Sequence, residues 1–286
     1  MKSKFFNKLK MFILPLSTGF LCVLVAISPL LAQQKTSIGF NPLKHLTKMP
    51  GWLVQTEGKA FKKENAKKYG IAAGAIVAAY FFDDNVDRFF KQKQRFPDTA
   101  HFFDKTGHLL NQTLWTGFYM AGMVAQNEKL VSAGQAMIVA ELGANLLGGA
   151  LWFGLGRERP GTAPDHHTFH PFDTDNLDLA FPPFKVLPSF PSSHVSGNFS
   201  IATVLARYYG FKAGLPMFLF GTATGFSRIA RQGHYLSDII GGAFLGTIFG
   251  IAATEVVPRE KNFLGNVMIM PQLGGRAQGI VVRYAF

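Results

Sequence analysis

The fold is decided by the stretch SRIARQGHYLSD, residues 227–238, because it joins two apolar segments of helical composition, 213–230 and 236–257. Gly233 lies between these segments and predicts a break in the helix. The chain is therefore expected to leave one long helix, turn back through a short polar loop and enter a second helix. Such a connection concentrates several polar side chains at one end of an otherwise apolar bundle.

Three side chains of this stretch could take part in a reaction. His234 and Asp238 are four residues apart, so on a helix they share a face, and the carboxylate can accept a proton from one ring nitrogen. The other nitrogen is then free to act as a nucleophile. Arg228 adds a guanidinium that can bind two oxygens of an anion at once. The alternative is a buried His–Asp pair with a purely structural role and an arginine that reaches to the surface.

A second polar segment, Pro191-Ser192-Ser193-His194, stands at the start of a predicted helix, 193–209. Proline and serine are favoured at helix starts, where free backbone N–H groups attract anions. The serine hydroxyls can add hydrogen bonds, and His194 can donate a proton. The alternative is an ordinary helix cap followed by an incidental histidine.

A third segment, Gly156-Arg157-Glu158-Arg159-Pro160, ends a long apolar helix predicted over 130–156. Arg159 is a candidate ligand of an anion. The alternative is a basic helix end that interacts with the helix dipole or with lipid headgroups.

Together the three segments supply cations, a nucleophile and an acid, which is what cleavage of a phosphate ester needs. Their order and spacing resemble the type-2 phosphatidic acid phosphatase superfamily, which also includes vanadium haloperoxidases and bacterial acid phosphatases. That family's pattern is K-x6-R-P, then P-S-G-H, then S-R-x5-H-x3-D. The third part matches fully, and the first two match at all but two positions: Ser193 replaces a glycine and Trp152 replaces the lysine.

The resemblance implies a role for each residue. His234 would be the nucleophile that forms a phosphohistidine, Asp238 would orient it, and His194 would protonate the leaving group. The implied phosphate-binding residues are Arg159, Arg228, Ser192 and Ser193. We expect Arg157 to supply the charge that the missing lysine would bring. No metal and no other cofactor is implied, and activity should resist chelators and be inhibited by vanadate.

The amino-acid composition indicates which kinds of molecule the protein binds. Apolar residues make up 48% of the 286 residues and charged residues 16%, which suits a membrane protein or a very apolar helical bundle. The net charge of +12 indicates an anionic partner. Zinc-finger spacing and aromatic RNA-binding motifs are absent, so nucleic acid is not the expected partner. The loop 161–187 contains His166, His167 and His170, but their spacing is not that of a standard zinc site, and we predict no metal there.

We predict an all-α fold, a bundle of about five to six core helices embedded in the membrane, with a small C-terminal β-hairpin. The four expected regions are a signal peptide or N-terminal anchor (1–34), an amphipathic basic segment (35–68), a helical phosphatase domain (69–257) and the β-hairpin tail (258–286). In the first region, lysines precede an apolar run that is long enough either to be cleaved as a signal or to remain as an anchor.

The expected function is hydrolysis of a lipid phosphate or pyrophosphate, in the inner membrane of a bacterial envelope with the active site facing the periplasm. The apolar bundle would receive the acyl or prenyl tail. Two alternatives stay open: a periplasmic acid phosphatase for small soluble esters, and a membrane protein that binds lipid phosphates without turnover.

Overall fold

A computed structural model describes residues 47–93, 97–125, 127–177, 184–258, 267–272 and 279–284. The chain divides into two compact units, Met1–Met49 and Pro50–Phe286, and nearly all described residues belong to the second. The predicted signal or anchor, 1–34, and the start of the basic segment, 35–46, lie outside the described residues.

The described residues are mostly helical, and the predicted all-α class is confirmed. The α-helices are α1 (Met49–Ala60), α2 (Ala66–Tyr80), α3 (Asp83–Lys93), α4 (Pro97–Val124), α5 (Glu128–Leu155), α6 (Ser193–Tyr209), α7 (Phe211–Ala230) and α8 (Leu236–Val256). A short 3-10 turn, Lys63–Asn65, separates the first two. The long loop between α5 and α6 contains no helix over 161–177 and 184–187.

Two short strands follow the helices. β1 (Val267–Gln272) and β2 (Gly279–Tyr284) pair antiparallel, with Val267 opposite Tyr284 and Gln272 opposite Gly279. Their connection, 273–278, lies outside the described residues, and the hairpin as a whole stays a prediction.

The helix pattern differs from the sequence prediction at two places. The apolar run 109–125 predicts a helix that starts at Leu109, but α4 begins at Pro97, about three turns earlier. The first half of α4 therefore carries polar side chains that face the bundle. α3 was not predicted, because its sequence DDNVDRFFKQK is mostly polar. Asp83 and Asp84 occupy its first turn, where carboxylates interact favourably with the helix dipole.

α8 is the centre of the bundle and packs against α6, α5 and α2. Three glycines one turn apart, Gly242, Gly246 and Gly250, allow α6 to approach it closely. A Cβ at Gly246 would lie 2.1 Å from the carbonyl oxygen of Ser196, and one at Gly242 would lie 2.5 Å from that of Ser192. The backbones are therefore in direct contact, and this contact fixes the start of α6 beside the start of α8.

α5 and α8 have the length and hydropathy of membrane spans, with mean hydropathies of 1.5 and 1.7 over their most apolar windows. Of the α8 window, 56% is buried inside the bundle. A central helix of a soluble bundle shares these properties, so length and composition alone do not place the chain in a membrane.

Gly246→Ala should destabilise the fold. The added methyl group meets backbone atoms of α6 that cannot rotate away, so the helices must separate, at a cost of about 1–3 kcal/mol in the free energy of unfolding. Gly149→Ala is the matched control, because a Cβ at Gly149 in α5 meets no atom within 4 Å. Thermal unfolding of both variants measures the difference, and equal unfolding temperatures would contradict the close packing of α6 on α8.

Candidate active site

The three polar segments meet at one end of the bundle and are joined by main-chain hydrogen bonds. These bonds run from Ser189 N to Arg157 O (2.7 Å), from Ser192 N to Asp238 O (3.1 Å) and from Gly161 N to Gln232 O (3.1 Å). The end of α5, the start of α6 and the α7–α8 loop are thus held by backbone contacts, before any side chain contributes. The site-bearing segments consequently have a fixed relative position.

His234 is buried, and its tautomer is set by a backbone carbonyl. Its Nδ1 lies 2.7 Å from the carbonyl oxygen of Ser189, which can only accept a hydrogen bond, so Nδ1 carries the proton. Nε2 then has a free lone pair, and no described residue forms a hydrogen bond with it. Burial lowers the pKa of His234 to about 4, and the charges of Arg228 and Arg159 act in the same direction. The imidazole is therefore neutral at physiological pH, the form that a nucleophile requires.

Asp238 contributes negative charge near this imidazole. Its Oδ2 lies 3.6 Å from His234 Nδ1, outside hydrogen-bonding distance, and accepts a bond from the backbone N–H of Tyr235 (2.8 Å). Its Oδ1 accepts a bond from Arg157 (2.7 Å). The direct hydrogen bond that orients the ring thus comes from Ser189, while Asp238 supplies an electrostatic contribution from a fixed position.

The structure gives Arg157 a place different from the expected one. Its side chain is 2% exposed and lies between Asp83 and Asp238, with both N–O distances at 2.7 Å. The guanidinium also lies over the ring of Tyr235, 4.1 Å from the centroid. Because two carboxylates already neutralise this charge, Arg157 cannot replace the missing lysine as a phosphate ligand. We therefore leave it out of the proposed phosphate-binding set.

Arg159 and Arg228 form the cationic part of the site. Arg159 donates to the carbonyl of Leu187 (2.8 Å), and burial together with the charge of Arg228 lowers its pKa to about 10. Arg228 forms an ion pair with Asp104 of α4, and its Nε has no partner among the described residues. Gly233 lets the α7–α8 loop pass over this guanidinium, since a Cβ there would lie 3.0 Å from Nη2. Two partly buried guanidinium groups in mutual repulsion make an anion-binding position.

The start of α6 faces the same point. Ser192 is the N-cap residue, yet its side chain does not cap the helix, and its buried hydroxyl has no described partner. Ser193 is the first residue of α6 and is half-buried. The ring of His194 contacts that of His108 of α4, with centroids 3.8 Å apart and ring planes at 47°. Burial, and then the charges of His108 and Arg228, lower the pKa of His194 well below its usual value. The residues of the second segment therefore share one environment with those of the other two.

The buried polar atoms without a hydrogen-bond partner among the described residues include four atoms of the candidate ligand-binding and catalytic residues: Ser192 Oγ, His194 Nδ1, Arg228 Nε and His234 Nε2. Buried polar groups in folded proteins are nearly always paired, because an unpaired one costs about 1–3 kcal/mol. A tetrahedral oxyanion offers acceptors to the serine and arginine donors, and a central atom for the imidazole lone pair. A bound oxyanion would therefore satisfy these groups.

Trp152 occupies the position of the family's lysine. Its Nε1 donates to the carbonyl oxygen of Pro191 (3.0 Å), and its ring packs edge-on against Phe184. The residue thus binds the backbone immediately before Ser192. The lysine of the family pattern would bring a positive charge to this position, whereas Trp152 brings a hydrogen bond that holds the start of α6.

Sequence reasoning missed three contributors to the site: Ser189, Asp104 and His108. Ser189 acts through its carbonyl, which side-chain chemistry does not reveal. Asp104 and His108 are four residues apart and face Arg228 and His194 from α4. Their spacing was visible, but both precede the predicted start of the helix at Leu109, so it was not interpreted as a shared face.

Comparison with known proteins finds a family match over part of the chain. The sequence model of the PAP2 superfamily matches residues 130–262, just under half of the chain, and this range contains all three polar segments. The predicted resemblance is confirmed.

Two curated proteins that are similar to this chain have lipid phosphatase names. The undecaprenyl-diphosphatase BcrC of Bacillus subtilis (strain 168) is 34% identical over 92 residues, which is 32% of this chain and 41% of the relative. The lipid A 1-phosphatase of Porphyromonas gingivalis is 27% identical over 188 residues, 61% of this chain and 36% of the relative. Each alignment therefore spans less than half of the relative's length.

Two solved structures are similar to this chain. The crystal structure of Aquifex aeolicus LpxE is 22% identical, has a TM-score of 0.43 and covers 61% of this chain and 95% of its own. That of the first transmembrane PAP2 type phosphatidylglycerolphosphate phosphatase from Bacillus subtilis is 17% identical, has a TM-score of 0.37 and covers 77% of this chain and 98% of its own.

His234 should make stability depend on pH. Its pKa is lowered from 6.5 to about 4 on folding, so the unfolded chain binds the proton more tightly, and stability is lost as pH falls from 6.5 towards 4. Between pH 7 and pH 5 this one group should cost about 2 kcal/mol in the free energy of unfolding. Equilibrium chemical unfolding at both pH values should show a smaller loss in His234→Gln than in the wild type. Equal losses would mean that His234 is not buried as a neutral imidazole.

Proposed function

We propose that this protein is a phosphatase that hydrolyses a lipid phosphate or pyrophosphate through a phosphohistidine at His234. The observation that carries the proposal is the convergence of an unpaired, neutral imidazole nitrogen with two partly buried guanidinium groups and the open start of a helix. A nucleophile and a cradle for an oxyanion are the two requirements for covalent transfer of a phosphoryl group.

In the first step, His234 Nε2 attacks the phosphorus atom opposite the leaving oxygen. The N–P bond forms as the bond from phosphorus to the leaving oxygen breaks, and His194 gives one proton of its imidazolium form to that oxygen. Burial lowers the pKa of His194, and the negative charge of the bound phosphate favours the imidazolium again. The lipid alcohol, or a lipid phosphate where the substrate is a pyrophosphate, departs. The carbonyl of Ser189 keeps the other ring nitrogen protonated throughout, and the nearby carboxylate of Asp238 stabilises the positive charge that develops on the ring.

In the second step, water attacks the phosphohistidine. His194, now without its proton, accepts a proton from this water, and the N–P bond breaks to release inorganic phosphate and free His234. Both steps use only side chains of this chain, so we expect turnover to continue in the presence of a chelator.

The phosphate oxygens are stabilised by charges and by neutral donors. Arg159 and Arg228 supply the charges, the Ser192 hydroxyl supplies a hydrogen bond, and the backbone N–H groups from Ser193 onward point along the helix axis toward the anion. Equatorial oxygens carry more charge in the pentacoordinate state than in the substrate, so these fixed dipoles favour the transition state.

A lipid is the proposed substrate class. Support comes from the apolar helices α5 and α8, which have the properties of membrane spans, and from the names of the two curated relatives. The net charge of +12 favours an anionic membrane surface. We place the protein in the inner membrane of the bacterial envelope with its site facing the periplasm, on the basis of the export-like composition of residues 1–34.

One observation favours a second candidate, a lipid-phosphate-binding protein without turnover. The lysine of the family pattern is absent, and Arg157, the nearest replacement, is neutralised by Asp83 and Asp238. Tight binding of a lipid phosphate with no release of phosphate would support this candidate.

His234→Ala should abolish release of inorganic phosphate from a panel of lipid phosphates and pyrophosphates. The loss should be on the order of a thousandfold in kcat, because the variant has no nucleophile. His170→Ala is the matched control: its imidazole is half exposed, is paired with Glu158 and is not part of the proposed mechanism. If the wild type and His234→Ala release phosphate equally, the proposed function is wrong.

His194→Ala should show a loss that depends on the leaving group. A lipid alkoxide needs a proton as it departs, so kcat for the lipid ester should fall about a hundredfold. An aryl phosphate such as p-nitrophenyl phosphate has a leaving group that departs without protonation, so its rate of enzyme phosphorylation should fall far less. Single-turnover kinetics on both esters measures this rate directly. The same loss on both would exclude His194 as the general acid.

A further inference from the structure

A buried carboxylate outside the three motifs contacts the residues beside the nucleophile. Asp83 opens α3, is fully buried and lies before the part of the chain that the PAP2 model matches. Its Oδ1 accepts a bond from the backbone N–H of Ser237 (2.9 Å), and its Oδ2 accepts bonds from the Ser237 hydroxyl (2.6 Å) and from Arg157 (2.7 Å). Burial raises the pKa of Asp83, while the hydrogen bonds from Ser237 and Arg157 and the charge of Arg157 lower it and favour the ionised form.

Arg157 connects this carboxylate to Asp238. One terminal nitrogen of the guanidinium binds Asp83 and the carbonyl of His166, and the other binds Asp238 and the Ser237 hydroxyl. The cluster of Asp83, Arg157 and Asp238 contains two negative charges and one positive charge, which leaves a net charge of −1. Without Asp83, Arg157 would neutralise Asp238 completely, and the ring of His234 would face a cluster with no net charge.

We propose that Asp83 is a positioning residue for the reaction: it takes up the charge of Arg157 and so keeps the carboxylate of Asp238 available to the imidazole of His234. The inference rests on the proposed function in its use of His234 as the nucleophile. Attack by Nε2 makes the ring cationic, and the Asp238 carboxylate, 3.6 Å from Nδ1, belongs to a buried cluster of net negative charge that stabilises that cation. The effect appears in the chemical step and not in binding of the ground state, where the ring is neutral.

Asp83→Asn tests this role, because it removes the charge and nearly preserves the shape. We expect kcat to fall at least about tenfold with KM within about twofold of the wild type. The acid limb of the kcat/KM profile should move to lower pH, since removing a negative charge makes His234 harder to protonate. Asp84→Asn is the matched control: it makes the same change at the next position, on a carboxylate that is 47% exposed and paired with His166. It should leave kcat, KM and the acid limb unchanged.

A merely structural role would give a different result. Ser237→Ala removes a hydroxyl from the same cluster but leaves its net charge at −1, so it should reduce thermal stability without moving the acid limb. If Asp83→Asn lowers activity only in proportion to the loss of folded protein, with an unshifted acid limb, the inference is overturned. If Asp83→Asn does not fold, Asp83→Glu replaces it. Asp83→Glu keeps the charge, so kcat should fall while the acid limb of the kcat/KM profile stays at its wild-type pH. A shifted acid limb in this variant would overturn the inference.

Binding of orthovanadate separates the two proposals. Vanadate in its pentacoordinate form bonds to the same imidazole nitrogen, so its affinity, measured by protection against thermal unfolding, should fall at least about tenfold in Asp83→Asn and stay unchanged in Asp84→Asn. This measurement needs no turnover. Failure of the wild type to hydrolyse lipid phosphates would end the proposed function, whereas wild-type vanadate affinity in Asp83→Asn would end the inference about Asp83.

Discussion

The contact between the backbones of α6 and α8 is the constraint on which the rest of the structure depends. Gly242 and Gly246 bring the two helices so close that no Cβ fits between them. The main-chain bond from Ser192 to the carbonyl of Asp238 is a consequence of this approach. The start of α6, with its free N–H groups, therefore lies beside the loop that carries His234. A geometry set by backbone atoms is more rigid than one set by long side chains, which suits a site that must stabilise a transition state.

Burial then determines the chemistry of the groups that this contact assembles. Removal of water keeps His234 neutral and therefore nucleophilic, while the same lack of water makes Arg159 and Arg228 repel each other. A bound anion reduces the repulsion between the two arginines and also accepts hydrogen bonds from the unpaired donors. The apolar interior of the bundle thus stabilises the fold and also strengthens the electrostatic interactions in the site. A solvated site with the same residues would bind the anion less well and would protonate the imidazole.

Much of this arrangement could be predicted from the sequence. The helix at 193–209 was predicted with the observed bounds, because Pro191 and Ser192 mark its start and Gly210 its end. The site residues within the motifs followed from their order. Contacts that depend on the tertiary fold did not: the carbonyl of Ser189 carries no signal in the sequence, and Asp83 and Asp104 belong to helices whose polar composition hid them. Arg157 was assigned to phosphate as a substitute for the missing lysine, and its two carboxylate partners were not foreseen because they lie 74 and 81 residues away in the chain.

Because Trp152 stands where the family pattern has a lysine, phosphate binding in this site relies less on positive charge and more on neutral hydrogen-bond donors. Arg228 shares its charge with Asp104, which also pairs with Arg231, so the cradle keeps the full charge of Arg159 and part of that of Arg228. A phosphate dianion then depends more strongly on the neutral donors, the Ser192 hydroxyl and the N–H groups of α6. The hydrogen bond from Trp152 to Pro191 stabilises the segment that carries those donors. The tryptophan therefore compensates for the lost charge by fixing the donors that remain, and it does so from the position where the family pattern has its cation.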